Sequence, residues 1–203
     1  MTHPIALFCR SRRLATAVAL LVLVSVAAAV TSGQLVRVGQ GADRSVPAAL
    51  LLLPAVAGAV LAATAHSPLH GWDALGSARL PRTRFAQAAA LTALAAAGAL
   101  LALPDEILDG RGDLSAARNV IALCGVGLLG AVALGAAAAW LPPLLFSGLA
   151  LTLGAEPDVA WLWTWLLAED DGLGATVTAL LFWGAGAMVY AGRGGRPTRG
   201  QVG

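Results

Sequence analysis

The chain has 203 residues, of which 58% are hydrophobic and only 12% charged, with a formal net charge of +2. Soluble domains carry about 25% charged residues, so this composition excludes an ordinary soluble fold and points to an integral membrane protein with one membrane domain. Every cation is an arginine, and Cys9 and Cys124 stand alone, without a CxxC or a neighbouring histidine, which argues against a disulfide framework or a cysteine metal site.

Residues 1–13 close on Arg10, Arg12 and Arg13, and Leu14 begins an apolar run that predicts a first span over 14–31. A basic segment ahead of an apolar helix is retained on the cytoplasmic side. A cleaved signal peptide is the competing reading, since Ala27-Ala28-Ala29 offers small residues at a cleavage position, but the run exceeds the roughly 7–15 residues of a signal core. Gln34 to Ser45 reads as a short polar loop. Pro47 opens a second span over 48–65, and Pro54 inside it predicts a kink.

The stretch from His66 to Arg84, HSPLHGWDALGSARLPRTR, holds three arginines against the single acid Asp73. Trp72, Leu75 and Leu80 are spaced to share one side of a short surface helix over 71–80. A third span covers 85–103 and stops at Pro104, after which Asp105, Glu106, Asp109 and Asp113 make an acidic loop.

From Arg118 to Gly154 no charged side chain follows Asn119. Crossing a bilayer takes about 20 apolar residues, so this run is too long for one helix and fits two short ones. Leu141-Pro142-Pro143 predicts the turn of a tight hairpin with spans over 119–140 and 142–155, and Trp140 at headgroup level beside it. Glu156 to Asp171, EPDVAWLWTWLLAEDD, has an apolar centre of only about ten residues. It reads as an interfacial or re-entrant segment, Val159 to Ala168, carrying Trp161, Trp163 and Trp165. A last span covers 173–191, and the chain closes with Arg193, Arg196 and Arg199 among glycines.

The expected fold is all-α: a polytopic membrane protein with six transmembrane helices and a short re-entrant or interfacial helix before the last span. Six spans put both termini on one side. That face carries nine arginines, from the N-terminus, the 66–84 loop and the C-terminus, with Asp73 its only acid; the other holds Arg37, Arg44, Arg111 and Arg118. The asymmetry places both termini in the cytoplasm, and the inner (plasma) membrane is the expected location.

No catalytic constellation emerges. Ser147-Gly148 invites comparison with a rhomboid-like serine protease, but Leu145 stands where that motif has glycine and no histidine follows His70. Asp109-Gly110 with Ala117-Arg118 matches only fragments of a lipid-headgroup phosphotransferase signature, whose paired aspartates are missing. His66 and His70 have no third ligand nearby, Arg111-Gly112-Asp113 reads as a coincidental turn, and GxxxxGK[ST] is absent. No enzyme activity, cofactor, metal or nucleic acid is expected.

Arg118 has two readings: it snorkels to the interface, or it pairs with an acid of the outer loops and fixes the outer mouth of a bundle. Gly125, Gly127, Gly130 and Gly135 on the same span permit close helix packing. Candidates for lining a path are Gln87, Thr92, Thr152, Thr176 and Thr178. The otherwise apolar spans suit a hydrophobic or peptide-like cargo better than an ion.

Six spans, a basic cytoplasmic loop between the second and third, a tight turn between the fourth and fifth, and a membrane-dipping segment before the sixth together resemble the permease subunit of an ABC-2 type transporter. Arg118-Asn119 and Trp140-Leu141-Pro142-Pro143 are similar to phrases in small actinobacterial membrane proteins grouped near such permeases. The resemblance implies a coupling element over 71–80 that docks on a separate cytoplasmic ATPase, with Trp72 and Leu75 as anchors and Arg79 and Arg82 at the rim. It also implies a re-entrant element over 159–168, and a second permease subunit or a homodimer set in membrane lipids. The short N-terminus departs from that pattern, because it lacks an amphipathic interface helix. The alternative from another class is a membrane scaffold or assembly protein that binds partners and moves nothing.

Overall fold

The computed structural model describes residues 12–38, 45–66, 80–103, 113–135, 137–153, 164–167 and 173–194. Among these residues the chain forms helices α1 (Leu14–Thr31), α2 (Ala48–Thr64), α3 (Leu80–Ala102), α4 (Asp113–Ala133), α5 (Leu141–Leu153), α6 (Thr164–Leu167) and α7 (Leu173–Arg193). A two-stranded antiparallel hairpin, β1 (Leu35–Arg37) with β2 (Ser45–Pro47), pairs Val36 with Val46 inside what the sequence presents as a plain polar loop.

Hydropathy locates the helices well and their ends less well. The helix α4 begins at Asp113, so Arg118 and Asn119 lie more than a turn inside it instead of opening it. An apolar run marks only the part suited to hydrocarbon, whereas a helix extends through polar residues such as Ser115 wherever its backbone bonds continue. At its other end α4 stops at Ala133, and Gly135 takes φ 83°, the left-handed conformation that commonly closes a helix. Backbone bonds from Ala138 N–H to Gly135 and from Leu141 N–H to Ala138 then hold the turn.

The turn therefore precedes the two prolines. Leu141-Pro142-Pro143 forms the first turn of α5, where the missing backbone donors have no intrahelical partner to lose. The helix α2 runs unbroken through Pro54.

The axis of the bundle is α4, with 83% of its apolar window buried against 17% for α1. It packs most extensively on α7 and α2, then on α3, while α1 lies outside against α2 and α3. Two glycines decide this arrangement. Residues two apart on a helix point about 200° apart, so Gly125 and Gly127 open opposite sides of α4. A Cβ on Gly125 would strike the backbone of Phe182 and Trp183 on α7, and one on Gly186 would strike the backbone of Gly125 in return. On the other side a Cβ on Gly127 would strike the Gly58 carbonyl, and one on Gly58 would sit 2.5 Å from the Leu123 carbonyl oxygen. Backbone touches backbone on both flanks, the arrangement that small residues allow between membrane helices.

The perimeter is apolar: Leu23, Val30, Leu101, Leu181 and Met188 are all exposed. Among the described residues four helices, α1, α3, α4 and α7, are long and apolar enough to cross a membrane, while α2 and α5 are shorter at 17 and 13 residues. Greasy side chains turned outward on helices of crossing length are the surface of a membrane protein.

Candidate functional site

Polar side chains gather at the two ends of the bundle. At the first end the start of α1, the end of α2, the start of α3 and the end of α7 converge. The last carbonyls of a helix lack intrahelical donors, and a cation there also complements the helix dipole. Arg12 meets both needs: its Nη1 donates to the Ala65 carbonyl at 3.2 Å, just past α2, and to the Tyr190 hydroxyl on α7. Its guanidinium carbon lies 6.0 Å from the centre of the Tyr190 ring, within range of a cation–π attraction. Tyr190 Oη donates to Gln87 Oε1 on α3 at 3.4 Å, and Gln87 Nε2 donates to the Thr64 carbonyl at 3.3 Å and hydroxyl at 3.1 Å.

One network thus fastens four helices. Arg12 is 2% exposed and Tyr190 1% exposed, so these bonds are made away from water, where losing a partner is expensive. A second buried arginine, Arg84, lies against Gly194, where an added Cβ would meet the guanidinium carbon at 2.8 Å and φ is 69° besides. Arg13 and Arg82 are exposed at the same end. Of the proposed coupling residues, Arg82 sits in the first turn of α3, and Trp72, Leu75 and Arg79 lie outside the described residues.

The opposite end is built around Trp165. The four residues of α6 are too few to satisfy their own carbonyls, and α4 supplies the donors: Arg118 Nη2 to the Trp165 carbonyl at 3.0 Å, Asn119 Nδ2 to the Leu166 carbonyl at 2.8 Å. The Trp165 ring packs 6.3 Å from Phe146 on α5 and 5.7 Å from Phe182 on α7, centre to centre. Val38 and Val46 of the hairpin join the same apolar cluster. Arg118 is 5% exposed and Asn119 fully buried, and through these bonds both fasten α6 into the bundle. Trp161 and Trp163 lie outside the described residues.

The path candidates are not brought together. Gln87 belongs to the first network, and Thr92 accepts from Trp183 Nε1 at 3.1 Å inside the bundle. Thr152 and Thr178 turn their hydroxyls back to the Gly148 and Gly174 carbonyls of their own helices, and Thr176 is exposed. The sequence reading passed over Tyr190. Its signal is that it is the chain's one tyrosine, next to the last residue of the final apolar run.

What both ends offer chemically is a concentration of hydrogen-bond donors, guanidinium, amide and hydroxyl, suited to holding carbonyls and anionic oxygens. Comparison of the chain with protein-family models, with curated proteins and with solved structures finds no match.

Proposed function

We propose that the chain is the membrane-embedded permease subunit of a transporter energised by a separate cytoplasmic ATPase, and that it performs no chemistry itself. In this reading α2 and α5 also cross, giving six spans with both termini in the cytoplasm of a plasma membrane. The observation that carries it is the four-helix network of Arg12, Thr64, Gln87 and Tyr190. The helices that residues 67–79 connect, α2 ending at Thr64 and α3 beginning at Leu80, both carry members of that network, so a push on the connection passes to α1, α2, α3 and α7 together. An element that turns a partner's cycle into helix motion needs such a junction, because packed helices move as rigid bodies.

The segment's Trp72 and Leu75 act as anchors on the ATPase and Arg79 and Arg82 as its rim, since buried aromatics dominate interfaces while rim charges mostly set salt dependence. The test is recovery of an ATPase with the wild-type chain and with Trp72→Ala plus Leu75→Ala, at equal membrane insertion. Loss with the double variant is expected, and unchanged recovery overturns the coupling role. Reporter fusions after Gly110 and after Gly203 should fall on opposite sides of the membrane; the same side for both overturns the six-span layout.

A second reading, a scaffold that moves nothing, is favoured by the way α4 fills the axis with backbone contacts on two sides. In the permease reading the cargo path, for a hydrophobic or peptide-like molecule, therefore runs between two such subunits. Wild-type chain that brings down membrane partners but no ATPase would decide for the scaffold.

A further inference from the structure

Between α1 and α2, at the end of the bundle that holds Arg12, the structure carries an open groove of ≈ 620 Å³. Its head is polar, formed by Arg12, Arg13, Thr16, Thr64 and His66. The rest of its wall is apolar, Ala17 and Leu20 of α1 and Ala59, Val60 and Ala63 of α2, with Leu20 and Ala59 about a turn further from the polar residues of their helices. The groove therefore changes from cationic to greasy along the helix axis. It runs along α1, whose apolar window is only 17% buried.

We propose that this groove binds an anionic phospholipid, the phosphate at Arg13 and Thr16 and the first part of one acyl chain along Leu20, Ala59 and Ala63. Three features support that occupant. The size lies within the roughly 300–1,000 Å³ range of small-molecule sites, room for a headgroup and the start of a chain. The order of chemistry matches a lipid in a leaflet, with charge at the helix ends and grease toward the centre. The charge matches too: basic pockets between membrane helices hold acidic headgroups, and Arg13 is exposed at the mouth beside an Arg12 fixed by Ala65 and Tyr190.

The molecule provides its own control. A second groove of ≈ 310 Å³ between α1 and α3 is lined by Leu21, Val22, Val26 and Leu94 with Ser25, and holds no cation. Ser25 is already committed to the Leu21 carbonyl at 2.9 Å. That groove accepts any acyl chain, whereas the α1–α2 groove selects by headgroup.

The test uses the full chain in detergent, with native mass spectrometry and competition between phosphatidylglycerol and phosphatidylcholine of identical chains. Wild type should retain phosphatidylglycerol preferentially. Arg13→Gln should weaken that preference roughly fivefold, the loss of one juxtamembrane arginine's attraction. Ala63→Trp should block binding by filling the apolar half, and Ser25→Trp, in the control groove, should leave the preference intact. Arg13 is exposed, so its variant tests the site without touching the core, and gel filtration confirms folding of each. Equal retention of the two lipids, or a preference unmoved by Arg13→Gln, overturns the proposal. Displacement of the lipid by millimolar inorganic phosphate, with Ala63→Trp harmless, assigns the groove to free anions and overturns it as well.

Discussion

The helices α1 and α4 invert the usual relation between hydrophobicity and burial. The first has a mean hydropathy of 2.5 over its apolar window and is 17% buried; the second has 1.7 and is 83% buried. In water the greasier helix would go inside. In a bilayer, lipid tails are as apolar as leucine, so expulsion from solvent does not rank the helices, and close packing does. The helix α4 sits at the axis because Gly125 and Gly127 let two neighbours approach to backbone contact, while α1 presents Leu23 and Val30 to the perimeter.

Breaking the axis should have the largest effect. Gly125→Leu forces a branched side chain into the backbone of Phe182 and Trp183, which cannot rotate away, and should cost about 3 kcal/mol or more, the upper range for overpacking. The expected outcome is loss of monodisperse protein after extraction or a sharply lowered thermal midpoint, with Gly127→Leu behaving alike on the α2 side. The perimeter glycine sharpens the contrast. A Cβ on Gly98 of α3 would meet only the small Ser25 side chain of α1 and no backbone, so Gly98→Ala should cost less, about 1 to 2 kcal/mol, as the Ser25 hydroxyl gives up the Leu21 carbonyl. Equal losses at Gly125 and Gly98 would end the distinction between axis and perimeter.

Next in size is Tyr190→Phe. It removes the hydroxyl that Arg12 and Gln87 share, leaving buried polar groups short of a partner, and should lower stability by about 2 kcal/mol. A double-mutant cycle with Gln87→Leu should show the two losses to be strongly non-additive, because both break one network. Additive losses would mean that the four helices are fastened independently.

Asn119→Ala deprives the Leu166 carbonyl of its donor and should cost about 1 kcal/mol or a little more. Because α6 has only four residues, the local effect exceeds the global one: amide exchange at Trp165–Leu167 should quicken while the rest of the bundle is unchanged. Protection unchanged at those amides would show that the Trp165, Phe146 and Phe182 rings hold α6 by themselves.

Smallest of all is Leu23→Ala on α1. The side chain is 62% exposed on the perimeter, so the change should stay within about 0.5 kcal/mol in lipid or detergent. A loss of several times that size would mean that α1 is covered by a neighbour, and would move it from the perimeter into an interface.

The amino-acid sequence by itself determined the membrane character, the positions of α1 and α7 to within two residues and the existence of α3 and α4 with less exact ends, and the concentration of arginine near α1, α3 and α7. These follow from transfer free energy, helix-length arithmetic and charge, which are properties of single segments. It did not determine the turn after α4. The conspicuous prolines at 142 and 143 drew the boundary to themselves, while a left-handed Gly135 in a chain with 24 glycines gave no visible mark. Nor did it determine the partners of Arg118 and Asn119, because a backbone carbonyl has no letter in the sequence, and any unsatisfied one brought near would have served. Which helix lies at the centre was decided only by the tertiary structure: hydropathy reports leaving water, equally well for lipid and for a protein interior, and only the shapes meeting at Gly58, Gly125, Gly127 and Gly186 distinguish the two.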